Sequence, residues 1–496
     1  MQIGDMIRTA ARRYVNQIAL SCEGEELSFK QFDEATDRLG NGLLAMGLVP
    51  GDRVAAMMGN SIECLVVYYA LAKSGLVRVP LNLREARAEH EYKLNYSGAR
   101  ALLTSQASSD LPCEITVAGA ELTKLIATGP SGACAVERDM EAPLRLGFTG
   151  GTTGKPKAVV LTTRGEVAEV TNFLIDLLPA LSPADTMLHA APIAHASGAF
   201  FLPHWLRGAK QVVMTKFDAA TFFEVAQRER ATVTFVVPTM LSMLLELPEA
   251  SRPKLAFRRL CYGAAPMAPA LLERGIEAFG SVFAQTYGQA ESPMVITCLK
   301  PEEHHRIGSA GRPYTLVEAK IFDEDDNEVP AGQPGEIVCR GLQLMSHYWE
   351  RPEETAKAMR GGWLHTGDIG ICDVDGYFQI IDRKNDMLIT GGYNVYPREV
   401  EDQLMTVPGV TAAAVVGLPD AHWGDRVHAV ISGASALDGE AVLALCKGKL
   451  AGYKMPKVVE VWDELPKSTA GKILRRVVRD QIIARDAAKP TETRFE

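Results

Sequence analysis

Residues 146–160 read LGFTGGTTGKPKAVV, and this segment contains the motif on which the fold and chemistry of the chain depend. Apolar residues ending at Phe148 lead into a run rich in glycine, threonine and lysine, and Val159 and Val160 follow it. This order predicts a strand, a loop and a second strand. Glycines let the loop turn backbone amides inward, while threonines and lysines add hydroxyl groups and charge. The segment therefore predicts a site for a polyanion such as a triphosphate, with a mobile surface hairpin as the alternative.

The composition indicates a large cytoplasmic protein. The chain has 496 residues, 47% of them apolar, which is enough for buried cores and too long for a single one, so at least two domains are expected. A formal net charge of −9 argues against nucleic acid or anionic lipid as partners. Nine cysteines without a CxxC pair indicate reduced thiols rather than disulfides or zinc. We expect no signal peptide and no transmembrane segment, and whether the chain forms a homo-oligomer stays open.

Helix and strand patterns alternate along most of the chain. Ser28 and Gln31 form a capping box that predicts the start of a helix, and the apolar run at 61–73 predicts another. Short β-branched runs predict strands at 53–58, 76–79, 210–214, 231–237, 260–263 and 281–286. Glycine and polar residues follow several of these strands, and open α/β sheets bind ligands at the carboxyl ends of their strands. We therefore expect the ligand site at that edge.

Two segments follow such strands directly, GAAP at 263–266 and YGQAE at 287–291. In the second, a tyrosine ring can stack on a nucleobase, and glycine permits close approach. The carboxylate of Glu291 offers a hard oxygen ligand for Mg²⁺ on ATP phosphates. Taken alone, a tyrosine-glycine turn with a surface glutamate is common, so the segment predicts a nucleotide site only in combination with other motifs.

Two further polar residues stand in suggestive surroundings. His195 lies in the apolar segment PIAHASG at 192–198, where a histidine is more often a core residue than a catalyst. Asp368 ends the segment WLHTGD at 363–368, where an aspartate can be an ordinary turn residue or can accept hydrogen bonds from both hydroxyls of a ribose. Both readings stay open on these residues alone.

The pattern changes near residue 384. Pro397 predicts the start of a helix, Asp438 caps another, and strands are predicted at 411–416, 426–431 and 458–462, which together indicate a compact α+β unit. Gly391 and Gly392 leave room for a thin ligand or simply form a tight turn. Lys472 stands at a predicted helix start, where the helix dipole opposes a cation by ~0.3 to 1 kcal/mol. Such local conflicts are typical of functional sites, although a solvated basic patch is the alternative.

Taken together, these motifs resemble those of adenylate-forming enzymes, the superfamily of acyl-CoA synthetases, peptide-synthetase adenylation domains and luciferases. The resemblance extends over residues 27–472 and implies an α/β fold. A large N-terminal α/β adenylation domain, 1–384, would be followed by a small mobile α+β C-terminal domain, 385–496. Four positions depart from the family pattern, since the chain has Gly150 in place of serine, Ala158 in place of glycine, Ala290 in place of threonine and Asn385 at the hinge, where Asp or Lys is usual.

The resemblance also implies roles for individual residues. The catalytic residues would be Lys472, His195 and Glu291, and Mg²⁺ would be held by Glu291 and Thr149. Arg383 would bind the nucleotide, Asp368 the ribose, and Gly391 and Gly392 the pantetheine arm of coenzyme A. The residues implied to bind ATP or coenzyme A are Thr149, Gly150, Gly151, Thr152, Thr153, Gly154, Lys155, Gly263, Ala264, Ala265, Pro266, Tyr287, Gly288, Gln289, Ala290, Asp368, Arg383, Gly391 and Gly392.

The implied activity is that of an acid-CoA ligase. ATP would activate a carboxylic acid to an acyl-adenylate with release of pyrophosphate, and coenzyme A would then take the acyl group and release AMP. The segment around His195 has no carboxylate to hold an amino group, and we expect an apolar fatty or aryl acid beside 199–202 and 237–240. The alternatives are a free-standing adenylation enzyme that loads a carrier protein, a luciferase-like oxygenase and a catalytically weak nucleotide-binding regulator. The last is suggested by Gly150, Ala290 and Asn385.

Overall fold

The computed structural model describes residues 2–149, 156–249, 252–420, 423–433, 437–467 and 473–488. The helices of this part of the chain are α1 (Ile3–Arg13), α2 (Phe29–Ala45), α3 (Ile62–Lys73), α4 (Arg87–Ser97), α5 (Ala120–Thr128), α6 (Thr163–Asn172), α7 (Phe201–Leu206), α8 (Ala219–Arg228), α9 (Pro238–Glu246), α10 (Pro269–Phe279), α11 (Pro352–Ala358), α12 (Pro397–Leu404), α13 (Gly439–Cys446) and α14 (Arg475–Ala488).

The strands are β1 (Ile18–Cys22), β2 (Glu25–Ser28), β3 (Arg53–Met57), β4 (Val77–Leu81), β5 (Ala101–Thr104), β6 (Ile115–Ala118), β7 (Pro143–Phe148), β8 (Ala158–Thr162), β9 (Thr186–His189), β10 (Lys210–Val213), β11 (Val233–Val236), β12 (Arg259–Gly263), β13 (Phe283–Gln289), β14 (Ser292–Leu299), β15 (Arg312–Pro313), β16 (Val317–Phe322), β17 (Gly335–Gly341), β18 (His347–Tyr348), β19 (Leu364–Cys372), β20 (Phe378–Arg383), β21 (Leu388–Thr390), β22 (Tyr393–Val395), β23 (Val410–Asp420), β24 (Gly424–Gly433) and β25 (Val458–Val461).

These strands form four sheets within the described residues. One sheet has the order β15-β14-β13-β12-β11-β9-β10-β1-β2, and a second has the order β18-β8-β7-β4-β3-β5-β6. The neighbouring pairs β9–β10, β11–β12, β3–β4 and β3–β5 are parallel, as expected where helices connect successive strands. A third sheet has the order β16-β17-β19-β20, and the last contains β22-β21-β24-β23 with β25 paired to β24. The chain therefore leaves one sheet at Arg383 and enters another at Leu388.

Separate apolar cores support these layers. The largest surrounds the first sheet and includes Phe200, Phe235 and Phe283, none of which is exposed to solvent. A second packs helices α1, α2, α3 and α7 around Trp205. The C-terminal unit has its own buried cluster, which includes Val400 of α12. No helix of the described ranges is both long and apolar enough to cross a membrane.

Local signals in the sequence predicted the helix starts correctly. The hydroxyl oxygen of Ser28 accepts a hydrogen bond from the backbone N–H of Gln31, and the Gln31 side chain accepts one from the Ser28 N–H. Pro397 opens α12, and Asp438 caps α13 through the backbone N–H of Glu440. The strand predicted at 281–286 continues to Gln289, because β14 pairs with it in antiparallel orientation. The segment 287–291 is therefore part of a hairpin rather than a loop after a parallel strand.

Candidate active site

The glycine-rich segment connects two antiparallel strands. β7 and β8 pair with Phe148 opposite Ala158, and the backbone N–H of Thr149 donates to the carbonyl of Lys157 at 2.9 Å. The strand, loop and strand order is therefore confirmed at both ends of the loop. The predicted phosphate-binding residues at its centre, Gly150, Gly151, Thr152, Thr153, Gly154 and Lys155, lie outside the described residues.

Glu291 lies beside this hairpin and is held by a tyrosine. The hydroxyl of Tyr348 donates to Oε1 of Glu291 at 2.6 Å. Tyr348 belongs to β18, which pairs with β8 with Tyr348 opposite Val159. The ammonium of Lys157 lies 4.9 Å from the centroid of the same tyrosine ring. The candidate metal ligand is therefore connected, through the Tyr348 side chain, to the β7–β8 hairpin that carries the predicted phosphate loop.

The surroundings of Glu291 fit a magnesium ion bound to a nucleotide. Burial and the neighbouring Glu291 carboxylate raise the pKa of Tyr348, so the phenol stays protonated and donates. Glu291 is 9% exposed. Thr149, the other predicted ligand, is the last described residue before the loop and has a hydroxyl oxygen. Mg²⁺ prefers such hard oxygen ligands and commonly takes one or two from protein and others from phosphates. The described residues contain no group of three or more His, Cys, Asp or Glu side chains placed to hold a metal ion.

A second cluster joins Tyr287, Asp368 and Arg383. The hydroxyl of Tyr287 donates to Oδ2 of Asp368 at 2.6 Å, and Nε of Arg383 lies 3.3 Å from Oδ1 of the same carboxylate. Asp368 and Arg383 face each other on the neighbouring strands β19 and β20. Burial, and then Asp368, raise the pKa of Tyr287 well above its ordinary value. Both carboxylate oxygens of Asp368 are thus held by neighbouring side chains. The hydrogen bond between Tyr287 and Asp368 was not predicted from the sequence.

The two clusters share the β13–β14 hairpin, because Tyr287 and Glu291 stand on the same turn of chain. Gly263 at the end of β12 lies against this hairpin, since a Cβ on it would be 2.3 Å from the carbonyl oxygen of Thr286. Ala264 follows with φ of +66°, a left-handed conformation that is costly for a residue with a side chain. Ala264 is exposed and directly follows the last residue of β12, so this strained turn lies at the carboxyl edge of the sheet.

The remaining predicted residues of these segments have less defined roles. Ala265 is partly exposed and Pro266 is exposed, next to Ala264. Gly288 lies within contact of backbone atoms of Met294, so a side chain would not fit there. Nε2 of Gln289 is buried without a hydrogen-bond partner among the described residues, and Ala290 packs against the core.

His195 lies on a loop that precedes a 3₁₀ helix, Ala196–Phe200. It is exposed to solvent, and Nε2 of its ring lies 3.2 Å from Nδ2 of Asn82. Loss of hydration of the ring beside protein atoms lowers the pKa of His195. The charge of Glu85 opposes this shift, and the charge of Lys93 adds to it. The imidazole is therefore neutral near pH 7.

Buried contacts hold this loop from behind. Burial lowers the pKa of His189 to about 4, so its ring is neutral. Nε2 of His189 donates to Oε1 of Gln211 at 3.0 Å, and Nδ1 accepts a hydrogen bond from the hydroxyl of Ser197 at 2.8 Å. Gly198 lies so near the backbone that an added Cβ would be 2.2 Å from the carbonyl oxygen of Ile193. The loop conformation therefore depends on residues that sequence analysis did not select.

The apolar residues after His195 differ from the prediction. Phe200 and Phe201 are completely buried, and Leu202 is 1% exposed. Phe201 stacks on Tyr69 in the second core with ring centroids 4.3 Å apart, so it supports the fold and does not line a pocket for the acid. The partly exposed residues of the two segments expected to contact the acid are Ala199, Val237, Pro238 and Thr239.

The C-terminal residues are described only in part. Gly391 and Gly392 form the exposed turn between β21 and β22, with φ of +55° and +82°. Lys472 lies outside the described residues. The prediction that Lys472 opens a helix is therefore not tested, and the described helix α14 begins at Arg475. Ile473 instead forms an antiparallel bridge with Lys467, and that pairing ends the segment before the helix.

Sequence comparisons identify the family. The model of the AMP-binding enzyme family matches residues 7–349, and that of the AMP-binding enzyme C-terminal domain matches residues 399–472. The chain therefore belongs to the AMP-binding enzyme family. It is 36% identical to the feruloyl-CoA synthase of Amycolatopsis sp over 95% of this chain and 96% of that one. It is 33% identical to the medium/long-chain-fatty-acid–CoA ligase FadD8 of Mycobacterium tuberculosis over 96% and 89% of the two chains.

A third relative loads a different thiol. The fatty acid–acyl-carrier-protein ligase ScoC of Streptomyces coeruleorubidus is 34% identical over 95% of this chain and 94% of that one.

Among solved structures, ATP-bound MatB from Rhodopseudomonas palustris has a TM-score of 0.89 at 28% identity, over 97% and 99% of the two chains. Apo MatB has a TM-score of 0.77 at the same identity and coverage. The overall arrangement of this chain is therefore closer to that of ATP-bound MatB.

Proposed function

We propose that this protein is an AMP-forming acid-CoA ligase. The observation that carries the proposal is the convergence of Glu291 and the Tyr287–Asp368–Arg383 cluster on one hairpin beside the phosphate-binding strands. We assign Glu291 to the metal-bound triphosphate and Asp368 to the ribose. The named relatives that join feruloyl or fatty acyl groups to coenzyme A support the same reaction class.

In the first half-reaction, the carboxylate of the acid attacks the α-phosphate of ATP, the bond to pyrophosphate breaks, and an acyl-adenylate remains. The approach opposes like charges, at a cost of roughly 4 kcal/mol per unit pair at 4 Å with an effective dielectric of ~20. Lys155, Lys472 and the amides of the glycine-rich loop would offset this cost. Mg²⁺, held by Glu291 and Thr149, would supply further neutralisation of the phosphates.

In the second half-reaction, the thiol of coenzyme A attacks the acyl carbonyl, the bond to AMP breaks, and the thioester forms. We propose that Gly391 and Gly392 lie beside the pantetheine arm, because their turn has no side chains and is exposed. The proposal assigns residues 1–384 to a large domain and 385–496 to a small one. The change of sheet between β20 and β21 supports a boundary there.

The acid is proposed to be an apolar monocarboxylate of the fatty or aryl class. The loop segment His195-Ala196-Ser197 has no carboxylate to pair with an ammonium group. The partly exposed residues Ala199 and Val237 add apolar surface, while Pro238 and Thr239 are compatible with a ring or an alkyl chain. A strong preference for dicarboxylates or amino acids in a panel of acids would contradict this assignment.

Exchange of labelled pyrophosphate into ATP tests the first half-reaction, because it depends on the acid and not on coenzyme A. Formation of AMP that requires free coenzyme A then tests the second. The carrier-protein ligase ScoC favours one alternative, a loader of acyl carrier protein. That alternative predicts acid-dependent exchange without thioester formation on free coenzyme A. Absence of exchange with every acid of a broad panel would contradict both forms of the proposal.

A further inference from the structure

Asn82 makes a directional contact with the candidate catalytic histidine. Its side-chain Nδ2 lies 3.2 Å from Nε2 of His195. The orientation of the amide is fixed from its other end, because Oδ1 of Asn82 accepts a hydrogen bond from the backbone N–H of Arg84 at 3.0 Å. An amide nitrogen can only donate, so Nε2 of His195 is the acceptor and the ring proton is on Nδ1.

A buried polar network holds Asn82 in place. The backbone carbonyl oxygen of Asn82 lies 2.8 Å from Nε2 of His90, and the backbone N–H of Asn82 donates to Oε2 of Glu85 at 3.4 Å. Glu85 is paired with Lys93 of α4, and the side chains of both are largely buried. Lys93 also lies 5.4 Å from the centroid of the Phe148 ring, at the end of the strand that leads to the glycine-rich loop. Asn82 is therefore in contact with His195 through its side chain and is connected to strand β7 through Glu85 and Lys93.

The remaining ring nitrogen of His195 is available to a ligand, since Nδ1 has no hydrogen-bond partner among the described residues. We propose that Asn82 is a positioning residue that selects the Nδ1–H tautomer of His195. The neutral ring then presents an N–H donor to the carboxylate of the acid. This inference rests on the proposed function for the identity of the ligand but not for the tautomer itself. Glu85, Lys93 and His90 are the titratable groups that face Asn82 and His195.

The tautomer can be measured without activity. Two-bond ¹H–¹⁵N correlation spectra of the full chain labelled with ¹⁵N-histidine report which ring nitrogen carries the proton, and the signal of His195 is assigned by its loss in His195→Gln. We expect protonated Nδ1 in the parent. Asn82→Asp replaces the donor by an acceptor of the same shape, so the proton should move to Nε2. An Nε2–H tautomer in the parent, or an unchanged tautomer in Asn82→Asp, would overturn the inference.

The same substitution predicts a distinctive pH profile for pyrophosphate exchange. The new carboxylate should raise the pKa of His195. Below that pKa the imidazolium still has a proton on Nδ1, but above it the ring donates to the carboxylate and turns a lone pair toward the acid. Exchange by Asn82→Asp should therefore fall as pH rises through that pKa, by at least about tenfold relative to the parent. The KM for ATP should stay within about twofold of the parent value.

Asn95→Asp is the matched control. Asn95 is exposed on the same helix as Lys93, so this substitution introduces the same negative charge away from His195. We expect its pH profile to match that of the parent. A fall in Asn82→Asp activity that is equal at all pH values would indicate a purely structural role and contradict the inference. A parent without exchange for any acid would contradict the proposed function, whereas the tautomer measurement would still decide this inference.

Discussion

Single residues at the site are held by partners whose loss should have separable effects. Tyr348 donates to Glu291 at 2.6 Å, and hydrogen bonds to charged groups contribute ~1.5 to 3 kcal/mol. Tyr348→Phe keeps the ring near Lys157 and removes only the hydroxyl. We expect the Mg²⁺ concentration for half-maximal pyrophosphate exchange to rise roughly tenfold or more.

Tyr377→Phe is a matched control for this substitution. Its hydroxyl also donates to a glutamate, Glu303, at 2.8 Å, but on another part of the surface. A control with the parent response to Mg²⁺ assigns the effect to Glu291 rather than to the loss of any tyrosine-glutamate bond. An unchanged Mg²⁺ requirement in Tyr348→Phe would show that the hydroxyl does not orient the metal ligand.

Lys472 gives a second prediction at the scale of one side chain. In the first half-reaction its ammonium would lie where charge accumulates between the acid and the α-phosphate. Removal of one preorganised donor typically costs ~3 to 4 kcal/mol, or roughly 10²- to 10³-fold in rate. Lys472→Ala should therefore be nearly inactive with ATP and free acid. It should convert supplied acyl-adenylate and coenzyme A at close to the parent rate, and equal loss in both assays would contradict the assigned role.

At the scale of elements, strand β7 and helix α6 share a buried charge cluster. Arg145 of β7 lies 3.4 Å from Glu166 and 3.5 Å from Glu169 of α6. On the neighbouring strand β4, Arg78 is paired opposite Arg145. Oε1 of Glu169 is buried and has no hydrogen-bond partner among the described residues. Burial, and then the charge of Glu166, raise the pKa of Glu169 to about 8.

This shift predicts how the stability of the protein depends on pH. The folded state keeps a proton on Glu169 that the unfolded state loses near its ordinary pKa of 4.5, so folding is favoured at low pH. Stability should fall as pH rises from about 4.5 to about 8. Calorimetry of Glu169→Gln between pH 6 and 8.5 should show a smaller decrease in Tm than the parent. The exposed Glu141→Gln should behave as the parent does, and a parent-like slope in Glu169→Gln would contradict the prediction.

The sequence predicted features that depend on neighbouring residues, but it did not predict contacts between residues far apart in the chain. The capping box of Ser28 and the proline at the start of α12 depend on neighbouring residues, and both elements begin where predicted. Contacts between distant residues leave no such pattern. Tyr348 and Glu291 are 57 positions apart, and Asn82 and His195 are 113 apart. Asn82 could still have been selected, because it directly follows β4 at the ligand-binding edge of a parallel sheet.

At the scale of the whole molecule, one arginine connects helix α14 to strand β20 across the proposed hinge. Arg475 of α14 bonds to Asp382 of β20 at 2.8 Å and to Asp386 at 3.0 Å. These two contacts use Nη1 of the arginine, and its Nη2 lies 2.6 Å from Glu401 of α12. Asn385, the proposed hinge residue, lies between the two aspartates in the sequence. Rotation of the small domain would break the bond to Asp382, while the bond to Glu401 could move with the domain.

The arrangement that Arg475 holds is closer to ATP-bound MatB than to apo MatB. We therefore infer that this contact stabilises the orientation for the first half-reaction. Arg475→Ala should lower acid-dependent pyrophosphate exchange and leave thioester formation from supplied acyl-adenylate at or above the parent rate. The backbone N–H of Arg398 donates to the other oxygen of the same Asp382 carboxylate, at 2.7 Å.

Hydrogen exchange at that amide separates release of the domain from loss of a catalytic group. In Arg475→Ala, peptides containing Arg398 should exchange faster than in the parent, because the carboxylate that accepts its N–H is no longer held by the guanidinium. Lys472→Ala should leave this exchange unchanged although it also slows the first half-reaction. Arg485→Ala is the matched control, since Arg485 lies on the same helix and bonds to Glu460 within the C-terminal unit. If Arg475→Ala exchanges at the parent rate, the arginine does not hold the two domains together, and the orientation must be set by other contacts.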